Sequence, residues 1–275
     1  MERTYESGAM KLTVLGMRGS VPVEGAKFGW GGATSCFCVR TAAEEIYLDA
    51  GSGIVKSRPE PGTRLTILLT HMHLDHVLGL PFFPGLYEKG RHIDIYAFPH
   101  SGFTPEAALD RLISPPFWPC GIHDYPAQVT IHDLSVAATP DKLQLGDVNV
   151  AMREGFHPGG ATMYRLTYGG KSLVYATDFE HSSEACATLA DFAAGCDLLM
   201  YDAQYTGREY EKYKGYGHST AAEGIKVARR AAVKKLLLVH HAPNRTDDEL
   251  AQMAQTVQAP GIDVAVAKAG AEFWV

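Results

Sequence analysis

Four side chains of the kinds that bind metal ions lie within six residues, in the order His71, His73, Asp75 and His76. Imidazole rings and a carboxylate packed this closely are costly unless a cation holds them together. The cluster begins where residues 64–69, which read as a buried strand, come to an end. A solvated histidine-rich loop is the alternative interpretation. The position at the end of a strand favours a catalytic metal site.

Three more residues of ligand type stand at the ends of other strand-like runs, namely His157, Asp178 and His240. Any one of them alone would more often be structural, but together with the first cluster they predict one site. Seven nitrogen and oxygen donors without a thiolate suit two divalent ions, with Zn²⁺ favoured and Mn²⁺ or Fe²⁺ also fitting. A water held between two such ions has its pKa lowered from about 16 towards about 7. The predicted chemistry is therefore hydrolysis.

These residues must be positioned by a β-rich framework. Strand-like runs cover residues 11–15, 36–41, 45–49, 65–70, 148–154, 163–168, 172–176, 198–201 and 235–239. A helix is expected after His76, and Thr104, Thr220 and Thr246 are predicted to cap three others. The β-rich and then helical order occurs twice. It predicts an α/β fold in which two sheets pack face to face with helices outside, a four-layer αββα sandwich.

Composition sets the broad class of the protein. With 275 residues, of which 46% are hydrophobic, we expect a single domain over residues 1–275. The net charge of −6 argues against a broad nucleic-acid-binding surface. Five irregularly spaced cysteines imply no disulfide framework, and Cys36 and Cys38 are predicted as core residues. Because neither a signal peptide nor a membrane-length apolar run is seen, a cytoplasmic protein is expected.

Several motifs together resemble the metallo-β-lactamase superfamily of hydrolases over nearly the whole chain. Within it, the chain is similar to the ribonuclease Z and phosphoribosyl cyclic phosphodiesterase branch. The motifs are Leu48-Asp49-Ala50-Gly51, the cluster at residues 70–76, Phe156-His157-Pro158-Gly159-Gly160, Tyr175-Ala176-Thr177-Asp178, Tyr201-Asp202-Ala203-Gln204-Tyr205-Thr206, Gly217-His218-Ser219-Thr220 and Leu238-Val239-His240-His241. The resemblance implies the metallo-β-lactamase fold, metal-dependent hydrolysis and a homodimer.

The resemblance also divides the ligands between two ions. It implies His71, His73 and His157 on one ion and Asp75, His76 and His240 on the other, with Asp178 bridging; Asp75 is predicted to be catalytic as well. His240 is preferred to His241 because it directly follows the strand. His241 is left as a supporting or substrate-binding residue. Asp49 either steadies the ligand loop or caps the turn at Gly51.

The reaction is narrowed by other features of the same resemblance. Asp178 argues against lactam hydrolysis, since class B β-lactamases lack that carboxylate. His218, supported by Asp202, matches the residue that protonates the leaving oxygen of a phosphodiester in this branch. Ribonuclease Z has a glutamate where this chain has Asp202, which weakens that partnership. The alternative for His218 is a structural contact at the start of a helix.

Ribonuclease Z also inserts its tRNA-binding arm between the residues matching His157 and Asp178. Here residues 158–177 suffice only for two strands and a turn. A small phosphodiester, preferably a cyclic nucleotide or a ribosyl cyclic phosphate, is therefore expected as substrate. The alternatives are an ester, lactone or thioester hydrolase, a ribonuclease Z-like RNA endonuclease, or a scaffold that has lost its metals.

Substrate contacts are the least determined part of the prediction. Arg165 or Arg18 could bind phosphate, and Arg165 could equally pair with a structural carboxylate. Aromatic and proline residues at 81–84 and 115–119 form buried loops, a lid, or a surface on which a base stacks.

Overall fold

Two mixed β-sheets carry the fold, in a computed structural model that describes residues 8–137 and 142–275. Within these residues each sheet has seven strands. The strands of the first sheet are Lys11–Gly16 (β1), Cys36–Arg40 (β2), Glu45–Leu48 (β3), Leu65–Leu68 (β4), His92–Ala97 (β5), Gln128–Asp133 (β6) and Glu272–Trp274 (β14). Those of the second are Lys142–Leu145 (β7), Val148–Gly155 (β8), Ala161–Tyr168 (β9), Lys171–Ala176 (β10), Leu198–Asp202 (β11), Lys235–Val239 (β12) and Asp263–Val266 (β13).

Helices flank the two sheets, and the first of them is a single turn that follows β4. Those in the described part of the chain are Leu74–Val77 (α1), Pro105–Leu112 (α2), Leu134–Ala137 (α3), Ser183–Phe192 (α4), Gly207–Tyr213 (α5), Ala221–Arg230 (α6) and Asp247–Thr256 (α7). Helices α2 and α3 pack on β6, while α4 and α6 pack on strands of the second sheet. A helix that crosses a bilayer would have to be longer and more apolar than any helix within residues 8–137 and 142–275.

The pairing of strands explains why one edge of the sandwich can hold a site. The first sheet has the order β14-β1-β2-β3-β4-β5-β6, and the pairs from β3 to β6 are parallel. The second has the order β13-β12-β11-β10-β9-β8-β7, and the pairs from β10 to β13 are parallel. Parallel neighbours end at the same edge of a sheet, and binding sites of open α/β sheets form beyond those carboxyl ends.

The core lies between the sheets and fixes their separation. Phe37 on β2 and Tyr175 on β10 meet edge to face with ring centroids 5.4 Å apart. Two buried tyrosine hydroxyls also cross the interface: that of Tyr164 donates to the Leu69 carbonyl at 2.6 Å, and that of Tyr175 donates to Asp49 at 2.8 Å. These bonds satisfy hydroxyl groups that burial would otherwise leave unpaired.

The αββα architecture predicted from the sequence is confirmed, and every predicted strand is present with ends shifted by at most two residues. Strands β5, β6, β7, β13 and β14 were not predicted. The helix expected after His76 is wrong: α1 is a single turn that already contains His76, and a short 3₁₀ turn at Leu80–Phe82 follows. Two backbone hydrogen bonds hold the chain there against the end of β3: the Ala50 N–H donates to the His76 carbonyl, and the Gly79 N–H donates to the Ala50 carbonyl.

The three N-caps predicted from the sequence are present, but only one of the two later helices has the reciprocal glutamate bond. Thr104, Thr220 and Thr246 each accept a bond from the backbone N–H three residues later, as predicted. The reciprocal glutamate bond is present at Thr246, whereas Glu223 near Thr220 pairs with Lys226 instead. Cys36 and Cys38 are buried and unpaired, as predicted for core residues.

Candidate metal centre

Ligand-type side chains from both sheets meet at the carboxyl edge of the sandwich. His71, His73, Asp75 and His76 follow β4, whereas Asp178 and His240 follow β10 and β12. His157 follows β8, which runs in the same direction as β10 because both are antiparallel to β9. The structure thus brings together all seven residues predicted as ligands, from segments up to 169 positions apart in the sequence numbering.

The backbone is strained where these residues turn away from their strands. Asp49, Asp178 and His240 take positive φ angles of 60°, 50° and 58°, in the left-handed region that side chains other than glycine rarely adopt. Such conformations cost on the order of 1–3 kcal/mol each and cluster at functional sites. The fold therefore tolerates local strain to aim these three side chains.

The seven residues form two groups that share Asp178. One group is His71, His73, His157 and Asp178, and the other is Asp75, His76, His240 and Asp178, with candidate ligand atoms within 4.8 Å of one another in each. Oδ1 of Asp178 lies 3.7 Å from His71 Nε2 and 3.8 Å from His157 Nε2. Oδ2 lies 3.1 Å from His76 Nε2 and 3.2 Å from His240 Nε2. One carboxylate thus presents one oxygen to each group, as expected for a bridge.

The spacing within each group fits a metal ion. His157 Nε2 is 3.2 Å from His73 Nδ1, and Asp75 Oδ2 is 3.2 Å from His240 Nε2. Donors of a tetrahedral zinc site at about 2.05 Å from the ion stand about 3.3 Å apart. Within the described residues, the buried Nε2 atoms of His71 and His76 have no hydrogen-bond partner. Since a buried polar atom without a partner is costly, these nitrogens fit ligands of a cation.

The charges of the second group are strongly interdependent. Burial alone would lower the pKa of His240, but Asp178 and Asp75 outweigh it and raise that pKa to about 9. Burial alone would raise the pKa of Asp178, but His240 and His76 hold it well below the ordinary value. In the other group, burial and the charge of His76 hold the pKa of His71 well below its usual range. A divalent cation could therefore replace protons held by the second group.

Asp49 fixes the orientation of one histidine of each group. Its carboxylate accepts from the Thr70 backbone N–H at 2.7 Å and lies 2.7 Å from His76 Nδ1. The Thr70 hydroxyl lies 3.0 Å from both Asp49 oxygens and 3.0 Å from His71 Nδ1. A proton on Nδ1 of each ring leaves Nε2 free to bind metal. Of the two roles left open for Asp49, the contacts favour support of the ligand loop.

His218 and Asp202 form a third group beside the ligands. His218 Nδ1 is 2.9 Å from Asp202 Oδ2 and 3.9 Å from Asp178 Oδ1. Asp202 is fully buried, and its other oxygen accepts from the Gln204 and Ser219 backbone N–H groups. This carboxylate is thus held rigidly, and a proton on Nδ1 of His218 leaves Nε2 for exchange with a bound molecule.

The proposed substrate contacts of Arg165, His241 and Arg18 are not supported. The Arg165 guanidinium donates to the carbonyls of Phe192 and Ala194 and to Ser172, so it ties β9 to the end of α4. His241 is fully buried and in neither ligand group, and burial together with Arg18 lowers its pKa to about 3. Arg18 is also fully buried, with bonds to the carbonyls of Gly31, Ala242 and Arg245. These contacts give Arg165 and Arg18 structural roles, and a contact of His241 with substrate stays a prediction.

Two residues near the ligands were missed from the sequence. Glu180, two positions after Asp178, accepts from the backbone N–H groups of Gly215 and Gly217. The Gly217 carbonyl in turn lies 2.9 Å from His157 Nδ1, so Glu180 steadies the loop that orients this ligand. His100 follows β5, and its ring centroid is 5.9 Å from that of His71. Its position after a parallel strand was the available signal, but β5 itself had not been predicted.

The aromatic loops are partly exposed. Phe82 contacts Trp118 edge to face at 4.9 Å between centroids, and Phe82 and Phe117 are exposed, whereas Phe83 is buried. These loops are therefore neither wholly buried nor wholly exposed, and their contact with a substrate base stays a prediction.

Comparisons with known proteins place these features in context. The model of the family described as the beta-lactamase superfamily domain matches residues 44–241. The ribonuclease Z of Haloferax volcanii is 25% identical over an alignment that covers 84% of each chain. The metallo-β-lactamase fold protein YhfI of Bacillus subtilis has a TM-score of 0.74 at 21% identity, covering 98% of this chain and 100% of its own. A diphosphatase of the PhnP family has a TM-score of 0.69 at 18% identity, covering 96% and 97%.

Proposed function

Because the chain belongs to the metallo-β-lactamase superfamily, we propose that it is a metal-dependent hydrolase of small phosphodiesters, with a cyclic nucleotide or ribosyl cyclic phosphate favoured. The family membership confirms the resemblance drawn from the sequence. The observation that carries the phosphodiester proposal is the pair of His218 and Asp202, 2.9 Å apart and beside both ligand groups. An alkoxide leaving group needs a proton as it departs, and a positioned histidine can donate it.

The ligand groups suit two divalent ions, with zinc favoured by the nitrogen and oxygen donors and Mn²⁺ or Fe²⁺ also compatible. When bound, such ions supply a water of lowered pKa and positive charge that polarises a phosphoryl group. His71, His73 and His157 would hold one ion, Asp75, His76 and His240 the other, and Asp178 both.

Protein side chains near the ligand groups would transfer the proton and orient the water. The Asp202 carboxylate keeps a proton on His218 Nδ1, so that Nε2 can give its proton to the leaving oxygen. Ser20 donates its backbone N–H to Asp75 Oδ2 at 2.7 Å. Among the described residues, no hydrogen bond is made to Asp75 Oδ1, which can accept a hydrogen bond from the attacking water and orient it.

A second candidate is an RNA endonuclease, since curated relatives bear the name ribonuclease Z. The short connection between the ligands counts against it: β9 and β10 fill the interval from His157 to Asp178 and are joined by Gly169 and Gly170 alone. There is no room in that interval for an inserted arm.

A substrate panel on the metal-loaded protein tests the proposal. We expect hydrolysis of 3′,5′- or 2′,3′-cyclic nucleotides and of bis(p-nitrophenyl) phosphate. Cleavage of only a precursor tRNA would favour the endonuclease. Hydrolysis of only acyl-lactones or thioesters would overturn the phosphodiesterase assignment in favour of the ester hydrolase class.

His218→Ala tests the role of the acid. We expect kcat to fall by about 10²–10⁴-fold on a cyclic nucleotide but far less on bis(p-nitrophenyl) phosphate, because nitrophenolate leaves without protonation. His92→Ala, at an exposed position on β5, is the matched control and should leave both rates unchanged. Equal losses on both substrates would refute the general-acid role.

A further inference from the structure

A cavity of about 380 Å³ opens beside the first ligand group. Residues 98–100, which follow β5, form one wall, and residues 152–154 and 159–162 from the β8–β9 hairpin form the other. The cavity adjoins the candidate metal centre, because Gly159 and Gly160 directly follow His157 and Pro158, and the His100 ring lies 5.9 Å from that of His71. Its volume is within the range of small-molecule sites.

Two polar side chains of this cavity lack partners. The exposed side chain of Glu154 makes no hydrogen bond or ion pair with any residue in the ranges 8–137 and 142–275, while its backbone pairs with Thr162 on β9. The buried Nε2 of His100 likewise has no partner there. A Cβ atom placed on Gly160 would be 3.6 Å from Glu154 Oε1 and 3.5 Å from His100 Cε1, so the two side chains approach the same point. Glycine at this position, with φ at +87°, keeps that space open.

The strand register places the exposed side chain of Glu154 on the face of β8 that turns towards the other sheet. Met152 pairs with Tyr164, whose hydroxyl crosses to Leu69 of the other sheet. Since alternate residues of a strand share a face, Glu154 lies on that same face, whereas Arg153 turns outward over the Phe192 ring. Glu154 belongs to none of the three groups of possible metal ligands found among the described residues.

A carboxylate can only accept hydrogen bonds, and this decides which base it suits. Guanine presents two adjacent donors, N1–H and the 2-amino group, to a pair of carboxylate oxygens. Adenine and cytosine place a ring-nitrogen acceptor beside their amino group, which a carboxylate repels, and uracil offers one N–H between two carbonyls. Phe98 supplies an apolar surface, and a proton on His100 Nε2 could be donated to the guanine O6.

We propose that this cavity binds the base of the substrate and that Glu154 makes the enzyme select guanine nucleotides. This inference rests on the proposed phosphodiesterase function and specifies its substrate. Glu154 is a specificity residue, since the phosphoryl group would react at the metal centre and not in the cavity. A bidentate pair with a base discriminates by about 10- to 100-fold, and the preference should be expressed mainly in KM.

The test compares 3′,5′-cyclic GMP and 3′,5′-cyclic AMP with metal-loaded wild-type protein and Glu154→Gln. We expect kcat/KM of the wild type to favour cyclic GMP by about 10- to 100-fold. The glutamine amide offers one acceptor and donors, which match adenine, so the variant should lose that preference and gain activity on cyclic AMP. The metal content of Glu154→Gln should match that of the wild type, because Glu154 belongs to none of the groups of possible ligands. Glu211→Gln, at an exposed position of α5, should behave as the wild type.

The outcomes separate this inference from the proposed function. If cyclic nucleotides are hydrolysed with the same ratio in wild type and Glu154→Gln, base selection by Glu154 is refuted while the phosphodiesterase remains. If no phosphodiester is hydrolysed, the proposed function fails. Calorimetric titration with GMP and AMP then still tests the cavity: tighter binding of GMP that Glu154→Gln abolishes would support it, and equal binding of the two would refute it.

Discussion

Replacement of Asp49 by asparagine tests whether the buried carboxylate sets the tautomers of the metal ligands. Asn tolerates the positive φ of 60° at this position, so the backbone need not move. The carboxylate now serves the Thr70 N–H and hydroxyl, His76 Nδ1 and the Tyr175 hydroxyl. An amide that keeps its oxygen on the Thr70 N–H must point its NH₂ group at the other donors.

The consequence falls on the ring of His76. To accept from the new NH₂ group, Nδ1 must lose its proton, which moves the proton to Nε2, the atom that faces Asp178. Loss of such an orienting partner typically costs 10- to 100-fold in metal affinity, or about 1.4–2.7 kcal/mol. We expect the larger loss at the second ligand group, because His71 reaches Asp49 only through the Thr70 hydroxyl. One or two displaced buried donors should also destabilise the metal-free protein by about 1–3 kcal/mol each.

Metal content after dialysis against graded chelator, with urea unfolding of the metal-free protein, measures both effects. Asp94→Asn is the matched control, because Asp94 is buried on β5 and binds Arg64 and His132 but no metal ligand. The control should lose stability and keep two metal equivalents. If Asp49→Asn lost stability but bound both ions as tightly as the wild type, the tautomer argument would be wrong and Asp49 would only support the fold.

Two further predictions concern a glycine and a carboxylate. Gly217→Ala should abolish binding of the ion held by His157, since the new Cβ would lie 2.1 Å from His157 Nδ1. Gly215→Ala is the control, because its φ of +90° is equally strained but its Cβ would face open space. In the same metal titration the control should keep the ion, which separates the clash from backbone strain. The carboxylate is that of Asp94. Burial alone would raise its pKa, but the hydrogen bonds from Arg64 and His132 hold that pKa below the ordinary value. Its stabilising effect is therefore complete above about pH 4 and lost as the pH falls through the folded pKa. The difference in unfolding free energy between wild type and Asp94→Asn should shrink from pH 7 to pH 3, and a constant difference would contradict this.

The ligand set could be found in the sequence because its members stand at the ends of recognisable strands. A metal site needs donors that converge, and parallel strands deliver their carboxyl ends to one edge. His71, Asp178 and His240 could therefore be grouped without coordinates. The resemblance to the ribonuclease Z branch suggested the pair of His218 and Asp202, and their contact at 2.9 Å matches that pairing.

Tertiary structure alone decided which polar residues face the site. Arg165 is close to the ligands along the chain, but its face of β9 is turned towards α4. His241 follows the ligand His240 directly and is equally buried, yet it belongs to none of the groups of possible ligands found among the described residues. Glu154 and His100 are 54 positions apart and approach the same point beside Gly160 only because the two sheets pack together. Residue type and spacing indicate local geometry, such as where a strand ends. Which side chains are buried, and which strands face each other, depends on how the two sheets pack. That packing involves residues far apart in the chain, so no short stretch of sequence predicts it.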